Sequence, residues 1–171
     1  MKIYQLSCPY VIYEFKDHFK FRDELLALIE LEDGQPIVGK DAISKTDWTL
    51  PCITSRKYLE FIVPKLHPYM KEIYDKLDHD EFEYQNFWFQ QYKTTDKHTW
   101  HQHRGASWAN VYFVELPEDG PKTTIIDPYT KAEITIDVKE GDILTFPAIA
   151  WHCSPPNTSD KRKTVIAFNV E

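Results

Sequence analysis

The 171-residue chain carries 20 Lys and Arg against 27 Asp and Glu, a formal net charge of −7. That balance excludes the broad basic surface by which proteins attract nucleic acid nonspecifically, so a nucleic-acid partner is not expected. With 42% apolar residues, 15% aromatic residues and 5 glycines, the composition suits one packed, β-rich domain and not a disordered segment. No stretch has the apolar length to span a bilayer, and residues 1–5 contain no long apolar run of the signal-peptide kind, so a soluble, cytoplasmic protein is expected.

Residues 21–31 place Leu25, Leu26, Leu28 and Ile29 at roughly helical spacing, and Gly34-Gln35-Pro36 breaks the pattern. Residues 33–54, with Asp47-Trp48 and Pro51, read as irregular. A longer helical pattern covers 57–77 through Leu59, Ile62, Val63, Leu66, Met70, Ile73 and Leu77. Pro64 and Pro68 fall inside it, which predicts a kink or two shorter helices. From Glu83 the period shifts toward two. Strands are expected at 84–92, 108–116, 123–126, 134–138, 141–147 and 164–170, separated by Pro117–Pro121, Asp127-Pro128, Glu140-Gly141 and Pro155–Asn157. Short strands so punctuated predict a sandwich, barrel or jelly roll. The chain thus divides into a helical or irregular cover, 1–83, packed on one sheet, and a β-core, 84–171, within a single domain.

Seven histidines are present, and three fall within Lys97-His98-Thr99-Trp100-His101-Gln102-His103. On a strand, residues two apart share a face, so His101 and His103 can offer two metal ligands together. His152 stands in an apolar segment, 146–152, where an imidazole needs partners for both ring nitrogens. It is the natural third ligand from a distant strand. His98, beside a turn, is expected at the surface or facing a substrate, and His18, His67 and His79 are read as structural or solvated. The cysteines Cys8, Cys52 and Cys153 are scattered and form no CxxC, so free thiols are expected. No nucleophile elbow, P-loop or Rossmann glycine pattern is present.

Tyr92, Trp100-His101-Gln102-His103, Ser107-Trp108, Val111-Tyr112-Phe113-Val114, Asp127-Pro128, 141–147, Trp151-His152, 156–160 and Phe168-Asn169 occur in an order that resembles the 2-oxoglutarate/Fe(II)-dependent oxygenases. The likeness is to a small bacterial and phage subfamily with a Trp-His-x-His motif, and it covers about half the chain, 84–171. It implies a double-stranded β-helix of the cupin-like, jelly-roll type. It also implies Fe(II) as cofactor, with 2-oxoglutarate and O₂ as co-substrates and succinate and CO₂ released as a substrate is hydroxylated. That substrate, a small molecule or a peptide, is not identified by any motif.

By the same resemblance His101 and His152 are metal ligands, and His103 stands where the family's usual carboxylate would be. Either His103 completes the set, or water or a carboxylate such as Asp127 does. A cation on the last strand, followed by Ser or Thr, would hold the distal carboxylate of 2-oxoglutarate. Arg162 and Lys163, next to Thr164, both qualify and point to opposite faces. Tyr92 is placed to donate its hydroxyl to the same carboxylate. Two other readings stay open: a three-His, cupin-like metalloenzyme that does not use 2-oxoglutarate, and a non-catalytic jelly-roll binding module.

Overall fold

The computed structural model describes residue 2, residues 8–51 and residues 54–171. Residues 1 and 3–5 of the signal-peptide reading, and Cys52, lie outside these described residues; Cys8 and Cys153 are free thiols. In chain order the elements are β1 (Val11–Glu14), α1 (His18–Glu30), β2 (Gln35–Ile37), β3 (Ile43–Thr46), α2 (Lys57–Lys76), β4 (Tyr84–Tyr92), β5 (His98–His101), β6 (Trp108–Glu115), β7 (Thr124–Ile126), β8 (Glu133–Thr135), β9 (Asp142–Pro147), β10 (His152–Ser154) and β11 (Lys163–Val170).

The strands form a seven-stranded sheet, ordered β1-β9-β6-β11-β4-β3-β2, and a four-stranded sheet, ordered β5-β10-β7-β8. Every pairing is antiparallel. From β4 onward the chain passes back and forth between the sheets: β4, β6, β9 and β11 go to the large one, β5, β7, β8 and β10 to the small one. This is a jelly-roll, double-stranded β-helix, as the strand punctuation and the resemblance both led one to expect.

The helices cover the outer face of the large sheet. α2 presents Tyr58, Ile62, Leu66, Met70, Ile73 and Tyr74 to it, a stripe at helical spacing, and α1 contributes Leu25 and Ile29. Across from them lie Phe89, Tyr112, Val114, Ile143, Ile166, Phe168 and Val170. Pro64 and Pro68 do not split α2, which is a single 20-residue helix. Both prolines are on its exposed side, where carbonyls that lose their helical N–H can bind water instead.

Residues 1–83 differ from the helix-and-loop expectation in one respect: they supply three strands of the large sheet. β1 pairs with β9, β3 with β4, and β2 with β3. At three or four residues each, these strands are too short for alternation to declare them, and Pro36 occupies the sheet's outermost strand, where its missing N–H costs no ladder bond.

A buried polar hub fixes the loop after β3. The Asp47 carboxylate is fully buried. It accepts the Phe89 N–H at 2.8 Å and the Tyr58 hydroxyl at 2.7 Å, and Arg56 Nε lies 3.2 Å away. Arg56 also donates to the carbonyls of Phe87 and Leu50. Breaking a buried pair from one side leaves the other charge uncompensated. Asp47→Ala is therefore expected to lower stability by roughly 3–5 kcal/mol, measured as a shifted urea midpoint, with much of the loss recovered when Arg56 is also made apolar.

Candidate metal centre

The inner faces of the two sheets enclose a second apolar cluster that includes Ile43, Phe113, Ile125, Leu144, Phe146 and Val165. Inside it lies a narrow cavity of about 40 Å³ with the three predicted ligands on its wall. His101 and His152 are direct partners across the β5–β10 ladder, with ring centroids 4.1 Å apart. The expectation that His103 shares a strand with His101 is not met, because β5 ends at His101. His103 follows it in the turn and is brought in by its backbone N–H, which donates to the Ala148 carbonyl at 2.9 Å. Its ring lies 5.3 Å from that of His101 and 5.1 Å from that of His152. One nitrogen from each of the three comes within 4.8 Å of the other two.

The backbone sets two of the tautomers. His101 Nδ1 lies 2.7 Å from the Thr99 carbonyl and His152 Nδ1 lies 2.9 Å from the Ala150 carbonyl. A carbonyl can only accept, so each Nδ1 carries the proton and each Nε2 keeps its lone pair free for a metal. Burial, with the neighbouring imidazoles adding to it, holds the rings neutral: His152 falls well below the ordinary histidine value and His103 falls to about 4. Three neutral nitrogen donors on a half-closed wall suit a first-row transition metal such as Fe(II) better than Mg²⁺ or Ca²⁺, which prefer oxygen ligands.

Asp127, the alternative carboxylate, sits in the β7–β8 turn. It accepts the backbone N–H groups of Tyr129 and Thr130 and does not line the histidine cavity. The carboxylate beside the outer mouth is Asp41, and Thr99 occupies one of its oxygens through both its N–H and its hydroxyl.

The two candidate cations separate by face. In β11, Lys163, Val165, Ala167 and Asn169 alternate onto the cavity wall. Arg162 points the other way, where it pairs with Glu30 and, at 2.8 Å, with Glu115. Thr164 shares that side and donates to Glu115 at 2.5 Å. Lys163, 1% exposed, extends into the closed end of the cavity. Its ammonium donates to the Pro121 carbonyl and the Ser154 hydroxyl, each at 2.9 Å, and lies 5.3 Å from the centre of the Tyr92 ring. Among the described residues no carboxylate forms an ion pair with it. Burial pushes its pKa down to about 7. Tyr92 is opposite Lys163 in the β4–β11 register, and its hydroxyl donates to Gln90 Oε1 at 2.9 Å.

Of the two positions expected for His98, the surface is not where it lies; it lines both the histidine cavity and the outer groove. It is 6% exposed and stacks on His101 with 3.8 Å between ring centres. Its Nδ1 is 3.3 Å from Gln90 Nε2, an amide donor, so a line of polar contacts runs from Tyr92 through Gln90 to His98. Gln90 and Trp88 were not singled out by the sequence reading as site residues. The available signal was the period of two in β4, which puts both on the face of Tyr92. His18 is the buried structural histidine, bonded to the Tyr112 hydroxyl at 2.7 Å.

Beyond the histidines the cavity opens into an outer groove of about 420 Å³ whose walls include Trp48, Trp88, Trp100 and Lys40. Trp48, held on the Asp47–Arg56 hub, is half exposed and stacks against Trp88 at 6.4 Å.

No protein-family model and no curated protein matches the chain. Solved structures do. A 2OG-Fe(II) oxygenase family oxidoreductase from Burkholderia pseudomallei superposes with a TM-score of 0.77 at 12% identity, over 95% of this chain and 85% of that one. A prolyl-4-hydroxylase from Pseudomonas putida gives 0.67 at 13% identity, over 95% and 93%. The chain has the fold of the 2-oxoglutarate/Fe(II) oxygenases. The viral collagen prolyl hydroxylase of Paramecium bursaria chlorella virus-1, solved as its 2OG complex, gives 0.62 at 15% identity, over 94% of each chain. Among the described residues no helix is long and apolar enough to cross a membrane.

Proposed function

We propose that this protein is an Fe(II)- and 2-oxoglutarate-dependent oxygenase, with His101, His103 and His152 as metal ligands and Lys163 as the anchor for 2-oxoglutarate. The observation that carries the reading is Lys163 itself. An ammonium that is fully buried without a counter-charge is costly, and a carboxylate entering the closed end of the cavity would relieve that cost. The dicarboxylate 2-oxoglutarate has one carboxylate for Lys163 and Ser154 and another end for the metal.

When bound, iron with 2-oxoglutarate and O₂ supplies the oxidising chemistry, which yields succinate, CO₂ and a hydroxylated C–H position. The chain's own groups set the stage for it. Thr99 and Ala150 fix the tautomers of His101 and His152. Phe146, packed edge-on to His152 at 4.6 Å, and Val165 keep the inner end dry. The outer groove is the route for a small molecule or a peptide side chain. Arg162, committed to Glu30 and Glu115, ties α1 to the sheet instead of serving the co-substrate.

The test is an anaerobic titration of the metal-free protein with Fe(II) and then 2-oxoglutarate, followed by the visible charge-transfer band of the chelate. The band should appear in the native protein and be absent in Lys163→Met. A second reading, a three-His enzyme that does not use 2-oxoglutarate, is favoured by the histidine at the usual carboxylate position. It predicts Fe(II) uptake with no band.

Lys163 also gives the site a pH dependence of defined sign. A bound carboxylate favours the charged lysine and raises its pKa above the value of about 7 that burial sets. Below pH 7 the lysine is already protonated and 2-oxoglutarate affinity should be flat. Above pH 7 binding must take up a proton, so affinity should fall by up to roughly tenfold per pH unit. Calorimetry in buffers of different ionisation enthalpy reads that proton directly.

A further inference from the structure

Four buried side-chain nitrogen or oxygen atoms have no hydrogen-bond partner among the described residues. Two are guanidinium nitrogens that lie beside carboxylates: Arg22 Nε, 2.8 Å from Glu140, and Arg56 Nε, 3.2 Å from Asp47. The other two, Trp88 Nε1 and Asn169 Oδ1, have no such neighbour, and both residues line the inner cavity and the outer groove where the two meet. Trp88 is 7% exposed and Asn169 8%. Leaving a buried donor or acceptor unmade costs about 1–3 kcal/mol, so a packed protein keeps such groups only where something else satisfies them.

Their placement relates them to each other and to the metal ligands. Trp88 on β4 is opposite Ala167 on β11, and Asn169 is two residues further along β11 on the same face. The β4–β11 register shifts at Asn169, and both side chains line the junction of cavity and groove, which brings them to one small region. The Trp88 ring lies parallel to that of His103, 5.6 Å away, so this pair sits on the open side of the histidines, opposite Lys163. Trp88 can only donate, and Asn169 Oδ1 can only accept.

We propose that Trp88 and Asn169 form a recognition pair for an amide of the substrate, adjacent to the carbon to be oxidised: Trp88 donates to the amide carbonyl and Asn169 accepts from the amide N–H. A hydroxyl or a carboxylate would satisfy the pair less well, since one lacks a separated acceptor and the other has no donor. Trp48, stacked on Trp88 at the rim, offers a flat apolar surface for the neighbouring part of the substrate. The inference rests on the oxygenase reading only for the phrase "to be oxidised"; the pair itself stands on its own geometry.

The test uses the full chain, with and without Zn(II) as a redox-silent metal, and proton–nitrogen correlation spectra of the tryptophan indoles. The Trp88 signal is assigned by its loss in Trp88→Phe. The probes are N-methylacetamide for a peptide bond, acetamide for a carboxamide, and methyl acetate, which has the carbonyl without the N–H. The expected result is a saturable downfield movement of the Trp88 indole proton with an amide, at roughly tenfold lower concentration than with methyl acetate, a preference abolished in Asn169→Leu. The amide that acts at lower concentration identifies the source. No saturable movement, an equal response to methyl acetate, or a preference unchanged in Asn169→Leu would overturn the proposal. An amide response in a protein that takes up no metal would overturn the oxygenase reading alone, and metal and 2-oxoglutarate binding without an amide response would overturn the pair alone.

Discussion

His152→Ala is expected to abolish Fe(II) binding and, with it, all turnover of 2-oxoglutarate. His152 faces His101 directly across the β5–β10 ladder and its Nδ1–H is committed to Ala150, which leaves Nε2 as the nitrogen it offers to a metal. Loss of a residue that merely orients a ligand costs roughly 10–100-fold in metal affinity, and loss of a ligand from a set of three should exceed that. The check is metal stoichiometry after dialysis against micromolar Fe(II) or Zn(II), alongside a thermal unfolding curve. The variant should still fold, because both sheets, the helices and the Asp47 hub are independent of the imidazole. A His152→Ala protein that keeps stoichiometric metal at native affinity would remove His152 from the ligand set.

Lys163→Met is expected to separate metal binding from co-substrate binding. The methionine fills the same apolar slot between Tyr92 and Phe113 without the charge. Fe(II) affinity should be unchanged within about twofold, since the lysine is no ligand. Affinity for 2-oxoglutarate should fall by the roughly 2–5 kcal/mol typical of truncating one partner of a buried charge pair, at tenfold for each 1.4 kcal/mol. Relieving a buried, uncompensated ammonium should at the same time make the metal-free protein more stable. Arg162→Ala is the control: its side chain pairs with Glu30 and Glu115 on the opposite face, so co-substrate affinity should hold while stability drops slightly. If Arg162→Ala lost 2-oxoglutarate binding and Lys163→Met did not, the assignment of the anchor would be reversed.

The contrast between these two neighbours shows what the sequence could and could not carry. Alternation marked 84–92, 108–116 and the longer later strands, but not β5 and β10, the short strands that carry His101 and His152. It could not choose between Arg162 and Lys163, because a shift of one residue reverses the face of every side chain in a strand. What sets Lys163 on the cavity side and Arg162 on the other is the register Lys163↔Tyr92, a long-range pairing invisible in local pattern. The turn before His98 left it between a surface and a substrate-facing position. Its burial comes from Gln90 on β4 and from Trp48, far away in the chain on a loop fixed by Arg56. His103 was placed beside His101 by strand logic, whereas the fold brings it there after the strand has ended. The short strands β1, β2 and β3 gave no signal because their form is imposed by the partners they pair with.

Those same strands have a consequence for how the molecule behaves among its own copies. The segment 84–171 contains the three candidate ligands His101, His103 and His152 together with Lys163, and it looks self-sufficient. Without residues 1–83, however, β9 would lose β1 and β4 would lose β3, leaving bare rows of N–H and C=O along both margins of the large sheet. Such margins recruit other chains. The N-terminal half, with a proline in its outermost strand, therefore serves as a guard against polymerisation: a fragment limited to 84–171 would elongate edge to edge into fibrillar or amorphous material before its metal chemistry could be observed.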